Sequence, residues 1–441
     1  MKKRLLGGTA IVGVSGLIAG MAGAAEAPTW KLTGNANFQF YWVDQDAAAL
    51  TTKSTWNGTS EAAVTWAHAE EMTGWAGAAT DDGQDHDWYF GVDEAELQLN
   101  VSGTADNGLN YGFKIEINAN TTDGSVADEV RLQFSGGWGT LQMGDEDGAE
   151  DIMNYGGENL MGATGGFDGD QDDYLVRAGG FSTTDGDTGE IHWNPTGPGA
   201  YVYWGSDGVN VAAPTYPTIA GDTSDKTKVS YFSPRFSGFQ VGASITPTPN
   251  NGDDFKEDGS WENHIGLGAN YDNSFGDLRI RASVVYSTAS SNDTWIEDVS
   301  AFSVGGIVGW GPFSLGANYT DNAESGQPKK WDWDTSTYVG SGIETSYWNV
   351  AAGFETGPMY FSAGYFASTL EHDIPGWDDS TYEHIALTAD YTVAPGLGVY
   401  AEINMISDEL LGGSRLYSTD ETWFSLANDT TSLVVGANIS F

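Results

Sequence analysis

The sequence contains no cysteine and few basic residues. Its 441 residues include no Cys, so it has no disulfide framework, no thiol nucleophile and no cysteine-based metal site. Lysine and arginine total 17 against 62 aspartates and glutamates, which gives a formal net charge of −45. A chain with this charge repels nucleic acid and offers no basic patch for phosphate. Nucleic acids are therefore excluded as partners.

Long apolar runs are also absent beyond the N-terminal region. No later segment approaches 18 consecutive apolar residues, so no membrane-spanning helix is expected there. The first residues combine the basic start KKR with an apolar stretch and a run of small residues that ends at Ala27. This order is typical of a secretory signal peptide, and we predict that residues 1–25 are removed and 26–441 remain. A membrane anchor, the alternative, needs about 20 strongly apolar residues.

Alternation with a period of two residues dominates the rest of the chain. In KLTGNANFQFYW, residues 31–42, apolar or small side chains occupy one face and polar side chains the other. The same pattern returns in 109–119, 384–391 and 432–441. Segments of about ten such residues have the length that a tilted strand needs to cross a bilayer. If the chain enters a membrane, it must do so as a closed barrel, since only that arrangement satisfies the backbone.

The spacing of these segments predicts sixteen strands. The candidates begin near Lys31, Asp93, Leu109, Ala127, Trp138, Lys226, Gly238, Glu262, Gly276, Val299, Phe313, Ser346, Pro358, Tyr382, Gly396 and Thr431. Connections after even-numbered strands are short, whereas 44–92, 146–225, 322–345 and 409–430 are long. Short turns at one rim and long loops at the other are typical of outer-membrane barrels. The predicted fold class is all-β, a transmembrane antiparallel barrel of sixteen strands.

A large soluble β-sandwich or β-helix would also alternate. Aromatic residues near strand ends, such as Trp42, Trp138, Trp310 and Tyr391, favour the barrel because they suit an interfacial girdle. The polar face is rich in Asn, Ser, Thr and Gln and includes charges, so it cannot form a dry core. We therefore expect a lumen that holds water.

Two stretches carry a family resemblance. KVSYFSPRFSGFQVGASITP, 228–247, and EVRLQFSGGWGTLQMGDEDGA, 129–149, resemble strand pairs of the general diffusion porins of Gram-negative outer membranes, and the chain ends on an aromatic residue, Phe441. The resemblance implies a homotrimer in the outer membrane, in contact with lipopolysaccharide, that passes small hydrophilic solutes and ions without a cofactor. It also implies a constriction loop folded into the lumen. Segment 146–225 is longer than such a loop needs, and GAYVYWG within it suggests an extra hairpin or a lid.

The charged residues of this region suggest the selectivity. The predicted acidic side of the constriction comprises Asp145, Glu146, Asp147, Glu150, Asp151 and Glu158. The predicted pore wall comprises Lys114, Arg131, Glu94, Glu96, Glu116, Arg279 and Arg281, and Lys228, Asp390 and Glu402 also fall on the inward face. Carboxylates in a narrow lumen attract cations and repel anions. We therefore predict a cation preference; the alternative is a solvated surface loop whose acids only aid solubility.

The segment DGDQDD begins like a calcium loop. It fails the EF-hand pattern, which needs Gly at the sixth position and Glu at the twelfth, where this chain has Asp173 and Gly179. A looser calcium site of loop carboxylates remains open. Its candidate ligands are Asp168, Asp170, Asp172 and Asp173.

No enzyme motif is recognisable. The sequence lacks a nucleophile elbow, a P-loop, a dinucleotide fingerprint and HExxH, so we expect a channel and not an enzyme. Two alternatives remain open. One is a substrate-specific porin for an oligosaccharide or an organic cation, and the other is a secreted β-rich carbohydrate-binding or adhesive protein.

Overall fold

The alternating segments pair into one antiparallel sheet that closes on itself. The computed structural model describes residues 27–45, 51–53, 65–67, 88–119, 127–175, 181–183, 191–193, 201–204, 207–210, 213–247, 261–292, 294, 296–327, 329–332, 337–372, 379–415 and 421–441. Sixteen strands form the barrel, as the sequence predicts. No helix in these ranges is long and apolar enough to cross a membrane.

The barrel strands follow one another in chain order. They are β1 Thr29–Gln45, β2 in two parts, Trp88–Gly91 and Ala95–Thr104, β3 Asn110–Asn118, β4 Ala127–Gly136, β5 Gly139–Asp145, β6 Thr227–Phe232, β7 Phe239–Thr246, β8 Trp261–Phe275, β9 Leu278–Ser291, β10 Val299–Trp310, β11 Phe313–Ala323, β12 Ile343–Thr356, β13 Met359–His372, β14 Ser380–Ala394, β15 Leu397–Arg415 and β16 Glu421–Ser440.

Closure comes from the pairing of the first and last strands. β1 pairs with β16 from Asn35↔Ser440 to Gln45↔Thr430, and with β2 on its other edge. β5 pairs with β6, beginning at Asp145↔Thr227, although segment 146–226 separates them in sequence. The strands thus form a ring without an exposed edge, which lets each satisfy its backbone groups within lipid.

The two faces of the sheet are inverted relative to a soluble protein. On β7, Phe239, Val241 and Ile245 are 63%, 56% and 46% exposed, whereas Ser244 and Thr246 are buried. Large apolar side chains point outward in the same way from the other strands. A continuous apolar outer surface is stable only against lipid.

One prediction about the loops is wrong. The sequence predicts a long connection at 409–430, but β15 runs to Arg415 and β16 starts at Glu421. Both strands continue as a hairpin beyond the length that a bilayer needs. The apolar alternation fades there because strand pairing above the membrane needs no apolar face. The short segment Thr51–Lys53 pairs with this part of β16.

Segment 146–226 contains short elements of its own. They are α1 Ala149–Ile152, the 3-10 turns Glu158–Leu160 and Asp170–Asp173, a hairpin of Phe181–Thr183 with Ile191–Trp193, and a hairpin of Tyr201–Trp204 with Asp207–Asn210. The second hairpin contains Tyr201–Trp204 of the GAYVYWG stretch. A further small hairpin joins Lys330–Asp332 to Thr337–Val339.

Candidate functional site

Segment 146–226, called the inner loop below, begins against the inner wall of β7 to β9. The Ala149 N–H donates to Ser244 Oγ of β7 at 3.1 Å. The Tyr155 N–H donates to Ser283 Oγ of β9 at 2.8 Å. A Cβ at Gly305 of β10 would lie 2.0 Å from the Tyr155 carbonyl oxygen. The loop backbone therefore sits directly on the wall where the wall lacks a side chain.

The inner loop then crosses β12 and β13. The Gly157 N–H donates to Asn349 Oδ1 of β12 at 2.8 Å. The Gly162 N–H donates to Ser362 Oγ of β13 at 3.0 Å. The inward polar residues of these strands thus bind loop backbone, which needs partners once water is excluded.

Two wall carboxylates hold the next stretch. Asp390 Oδ1 of β14 accepts from the Ala163 N–H at 2.9 Å. Glu402 Oε2 of β15 accepts from the Thr164 N–H, the Thr164 hydroxyl and the Gly166 N–H at 3.2, 2.8 and 3.3 Å. Several donors on one carboxylate satisfy its charge although the Glu402 side chain is buried.

The loop reaches the far side of the barrel at Tyr174. The Tyr174 hydroxyl accepts from Asn404 Nδ2 of β15 and from Ser432 Oγ of β16, both at 2.9 Å. Gln45 Nε2 of β1 donates to the Tyr174 carbonyl at 3.2 Å. The inner loop therefore follows the wall from β7 round to β1.

The returning limb runs back over the same wall. The Ala220 N–H donates to Asn322 Oδ1 of β11 at 2.8 Å, and the hydroxyls of Thr223 and Thr246 lie 3.2 Å apart. An aromatic cluster packs beneath the loop: the rings of Phe167 and Phe366 lie 5.8 Å apart, and both side chains are fully buried. Loop and cluster fill part of the lumen and narrow the passage.

The wall of β2 to β4 carries the main charge cluster of the described residues. Lys114 Nζ forms ion pairs with Glu116 and, at 3.1 Å, with Glu129. Arg131 forms an ion pair with Glu146 at the start of the inner loop. All of these side chains are largely buried, so their charges interact through a reduced dielectric.

Two groups of three acids extend this cluster. Oxygens of Glu96, Glu116 and Asp128 lie within 4.8 Å of one another, and so do oxygens of Glu129, Glu146 and Asp147. Asp128 and Glu129 are not among the residues predicted from the sequence. Continuing the period of two back from Arg131 would have found Glu129. Asp128 lies in the cluster because the pairing of β3 with β4 shifts register between Ile115 and Ile117. The sequence pattern does not predict this shift.

The six acids assigned to the constriction do not gather in one place. Glu146 and Asp147 join the wall cluster. Asp145 ends β5 and accepts from the Thr227 hydroxyl. Glu150 is 2% exposed and accepts from Ser244 Oγ at 2.9 Å, so its carboxylate lies between α1 and the wall. Asp151 and Glu158 are half-buried along the inner loop.

The remaining assigned wall residues also lie apart. Glu94 accepts from Asn35 Nδ2 at 3.2 Å in the break between the two parts of β2. Arg279 pairs with Asp272 at 2.6 Å beside the short β8–β9 turn. The Arg281 guanidinium lies 5.4 Å from the centre of the Tyr155 ring, a cation–π contact with the loop.

Burial behind the inner loop raises the pKa of two carboxyl groups there. Burial raises the pKa of Glu150, and the neighbouring Lys228 and Ser244 only partly oppose this. Burial, reinforced by Asp151 and Glu150, raises the pKa of Asp222 on the returning limb to about 7. A carboxyl of this kind is partly protonated near neutral pH.

The candidate calcium ligands lie only partly within the described residues. Asp168 and Asp170 are described, and Asp170–Asp173 forms a 3-10 turn. The side chains of Asp172 and Asp173 lie outside the described residues. The calcium assignment therefore stays a prediction.

Comparison with known families decides the identity. The family model of the Gram-negative porins matches residues 8–409. The chain belongs to the Gram-negative porins. The apolar exterior and polar interior of the barrel agree with this membership.

Solved porins share its fold. The anion-selective porin of Comamonas acidovorans is 16% identical, with a TM-score of 0.54 over 94% of this chain and 100% of that one. The trimer form of OmpT from Vibrio cholerae is 14% identical, with a TM-score of 0.52 over 94% and 100%. The channel DcaP of Acinetobacter baumannii is 11% identical, with a TM-score of 0.52 over 94% and 97%.

The match to a curated sequence relative covers a smaller part of this chain than the structural matches do. An uncharacterized protein of Rickettsia bellii is 30% identical over 128 residues, 29% of this chain. The match spans 26% of that relative's length.

Proposed function

We propose that this porin conducts small hydrophilic solutes and ions passively and prefers cations. One observation supports this most directly: two bases face six carboxylates on the wall of β2 to β4 and the first residues of the inner loop. These groups are Lys114 and Arg131 against Glu96, Glu116, Asp128, Glu129, Glu146 and Asp147. Both bases are paired, so the remaining charge is negative. In a narrow aqueous passage this charge attracts cations and repels anions.

The reversal potential in a planar bilayer under a KCl gradient tests the preference. We expect stepwise conductance and the sign that indicates potassium preference. In the variant Glu116→Gln/Glu129→Gln, Lys114 loses both partners, so the potential should move toward chloride. Asp106→Asn/Asp277→Asn removes two exposed acids, one in the β2–β3 turn and one in the β8–β9 turn, so it is the matched control and should leave the potential unchanged. Chloride preference of the unaltered porin would contradict the proposal.

We also propose that the porin is a homotrimer in contact with lipopolysaccharide. The family supports this, and so does the trimer form of the Vibrio cholerae protein OmpT, which shares the fold. Native mass spectrometry of the detergent-extracted porin should show three chains. A monomer under conditions that preserve folding would overturn the assignment.

Two further expectations belong to this proposal. Residues 1–25 act as a cleaved signal peptide, and the N-terminal sequence of the purified porin tests this. No cofactor is required for conduction, but calcium is held by Asp168, Asp170, Asp172 and Asp173. Asp170–Asp173 forms one 3-10 turn and Asp168 precedes it, which supports this assignment. Added calcium should then weaken the cation preference, and an unchanged reversal potential would exclude calcium from the conducting path.

A further inference from the structure

Three of the few basic residues of this chain lie together at the short-turn end of β7 to β9. Arg235 belongs to the turn before β7, and Arg279 and Arg281 are among the first residues of β9. Arg279 and Arg281 continue the face of β9 on which Ser283 and Val285 are buried, so both point into the lumen. These three arginines are called the arginine patch below.

One carboxylate, that of Asp272 on β8, lies among the three arginines. Arg279 donates to both of its oxygens, at 2.9 and 2.6 Å. Asp272 stands directly opposite Arg281 in the pairing of β8 with β9, yet it binds Arg279. Arg235 donates to the Gly238 carbonyl at 2.7 Å, and the same carbonyl accepts from the Asp272 N–H at 2.9 Å. Three positive charges against one negative charge leave an excess of two.

The neighbouring strands do not neutralise this excess. At this end of the barrel the inward residues of β10 and β11 include Ile307, Gly309 and Ser314. Glu355 faces the lumen on β12, three strands from β9, and at about 4.8 Å per strand its Cα is about 14 Å away. Asp277 lies in the β8–β9 turn itself and is exposed to solvent. The arginine patch is therefore a positive region in a strongly acidic protein.

Arg281 is the member of the patch with unused hydrogen-bond donors. Its guanidinium lies 5.4 Å from the centre of the Tyr155 ring. In the part of the chain that the structure describes, it makes no hydrogen bond and no ion pair. The side chain is half-buried, and the charge of Arg279 repels it. A bound anion would satisfy these donors and relieve the repulsion between the two arginines.

The arginine patch lies beside the inner loop, toward the short turns. Ser283, two residues after Arg281 on β9, accepts from the Tyr155 N–H of the loop. At about 3.4 Å per residue, the Arg281 Cα is about 7 Å closer to the short-turn rim than this contact. The short turns of outer-membrane barrels face the periplasm. A solute that has passed the inner loop therefore meets Arg281 before it reaches the periplasmic mouth.

The donors and the charge together indicate the kind of ligand. The planar guanidinium matches two oxygens of a carboxylate or of a phosphate. The guanidinium of Arg281 is available for such a pair, whereas that of Arg279 already binds Asp272. An anion that balances the excess must then carry its two negative charges on one group. A carboxylate carries one charge, whereas a phosphate monoester carries nearly two at neutral pH.

We propose that the arginine patch binds the phosphate group of a small phosphorylated solute on the periplasmic side of the inner loop. Arg281 binds two phosphate oxygens, and Arg235 and Arg279 add positive charge. The proposal goes beyond passive conduction and cation preference. It concerns other residues than the wall cluster of β2 to β4, and binding is measured without a current.

Saturation-transfer NMR of the folded porin in detergent tests the proposal, with glycerol 3-phosphate, glycerate and glycerol as probes at neutral pH. All three have the same carbon chain, and they differ in the anionic group. We expect saturable binding of glycerol 3-phosphate, about fivefold weaker binding of glycerate because it has one charge less, and no saturable binding of glycerol.

Three variants separate recognition by Arg281 from a general effect of charge. Arg281→Gln should weaken the binding of glycerol 3-phosphate about tenfold, since it removes a charged pair of hydrogen bonds. Arg281→Lys keeps the charge but loses the planar group, so binding should weaken about threefold. Lys329→Gln removes one base from the long connection between β11 and β12, and it should leave binding unchanged. Heat-modifiable migration of each variant checks that the barrel is folded.

Four outcomes would overturn the proposal. Equal binding of glycerol and glycerol 3-phosphate would show that the phosphate is not recognised. Unchanged binding in Arg281→Gln would place any site elsewhere. Undiminished binding in Arg281→Lys would show attraction by charge without the paired hydrogen bonds. An equal loss in Lys329→Gln would show a general effect of net charge. The reversal potential under a KCl gradient tests the ion preference separately and decides none of these outcomes.

Discussion

Glu402→Gln offers a direct test of how the inner loop is held. The Glu402 carboxylate accepts three hydrogen bonds from Thr164 and Gly166 at 2.8–3.3 Å, and a fourth from Asn404 Nδ2 at 2.8 Å. Gly165 and Gly166 have φ values of 110° and 67°, a left-handed conformation that turns the loop backbone toward the carboxylate. Both carboxylate oxygens of Glu402 therefore have to act as hydrogen-bond acceptors, Oε2 toward the loop and Oε1 toward Asn404.

A glutamine can satisfy only one side. If the glutamine carbonyl faces Thr164, its NH₂ group faces the NH₂ group of Asn404, and two donors oppose each other. In the reverse orientation the glutamine NH₂ group faces the N–H and O–H donors of the loop. The expected loss is one hydrogen bond to a charged group plus one buried donor without an acceptor, about 2–3 kcal/mol in total. At a tenfold change per 1.4 kcal/mol, the population with this stretch released rises about 30- to 150-fold.

Single-channel recording in a planar bilayer measures the effect as brief closures, since a released stretch moves into the passage. Glu409→Gln is the matched control: it is the same substitution on the same strand, but Glu409 is exposed on the outer face. It should leave the closures unchanged. Identical records for Glu402→Gln and the unaltered porin would refute the assignment of Glu402 as an anchor of the loop.

Three further changes probe the same region. Gly305→Ala places a methyl group against the Tyr155 carbonyl and should raise the closure frequency, whereas Gly309→Ala on the same strand, with no foreign atom closer than 3.7 Å, should not. Burial raises the pKa of Asp222, so the folded loop binds the Asp222 proton more tightly than the unfolded chain does. The resulting stabilisation of the folded loop is complete below the pKa that Asp222 has in the unfolded chain, and it is lost as pH rises through about 7. The hydrogen-exchange protection factors of residues 213–226, which are corrected for the intrinsic rise of exchange with pH, should therefore fall from pH 5 to pH 8, and Asp222→Asn should abolish that fall. Arg131→Gln leaves Glu146 without its ion pair and should increase the potassium preference in the reversal potential; a decrease would show that Arg131 does not face the conducting path.

The barrel itself was largely predictable. The alternation of polar and apolar residues is a local property of each strand, and it also decides which face meets lipid. Sixteen strands and the short turns between them follow from that pattern. The exception is the hairpin of β15 and β16, which continues above the membrane, where lipid no longer imposes an apolar face.

The inner loop was not predictable in the same way. Its contacts join residues far apart in sequence, such as Thr164 with Glu402, and no local pattern encodes them. Composition shows that the segment is acidic, but only the tertiary structure separates Glu146, which faces the wall bases, from Glu150, which is buried behind the loop. The sequence by itself determined that this chain forms a lipid-embedded barrel, because strand alternation and lipid act residue by residue. The tertiary structure alone decided where the loop lies and which charges meet, because burial and electrostatics depend on what packs against each group.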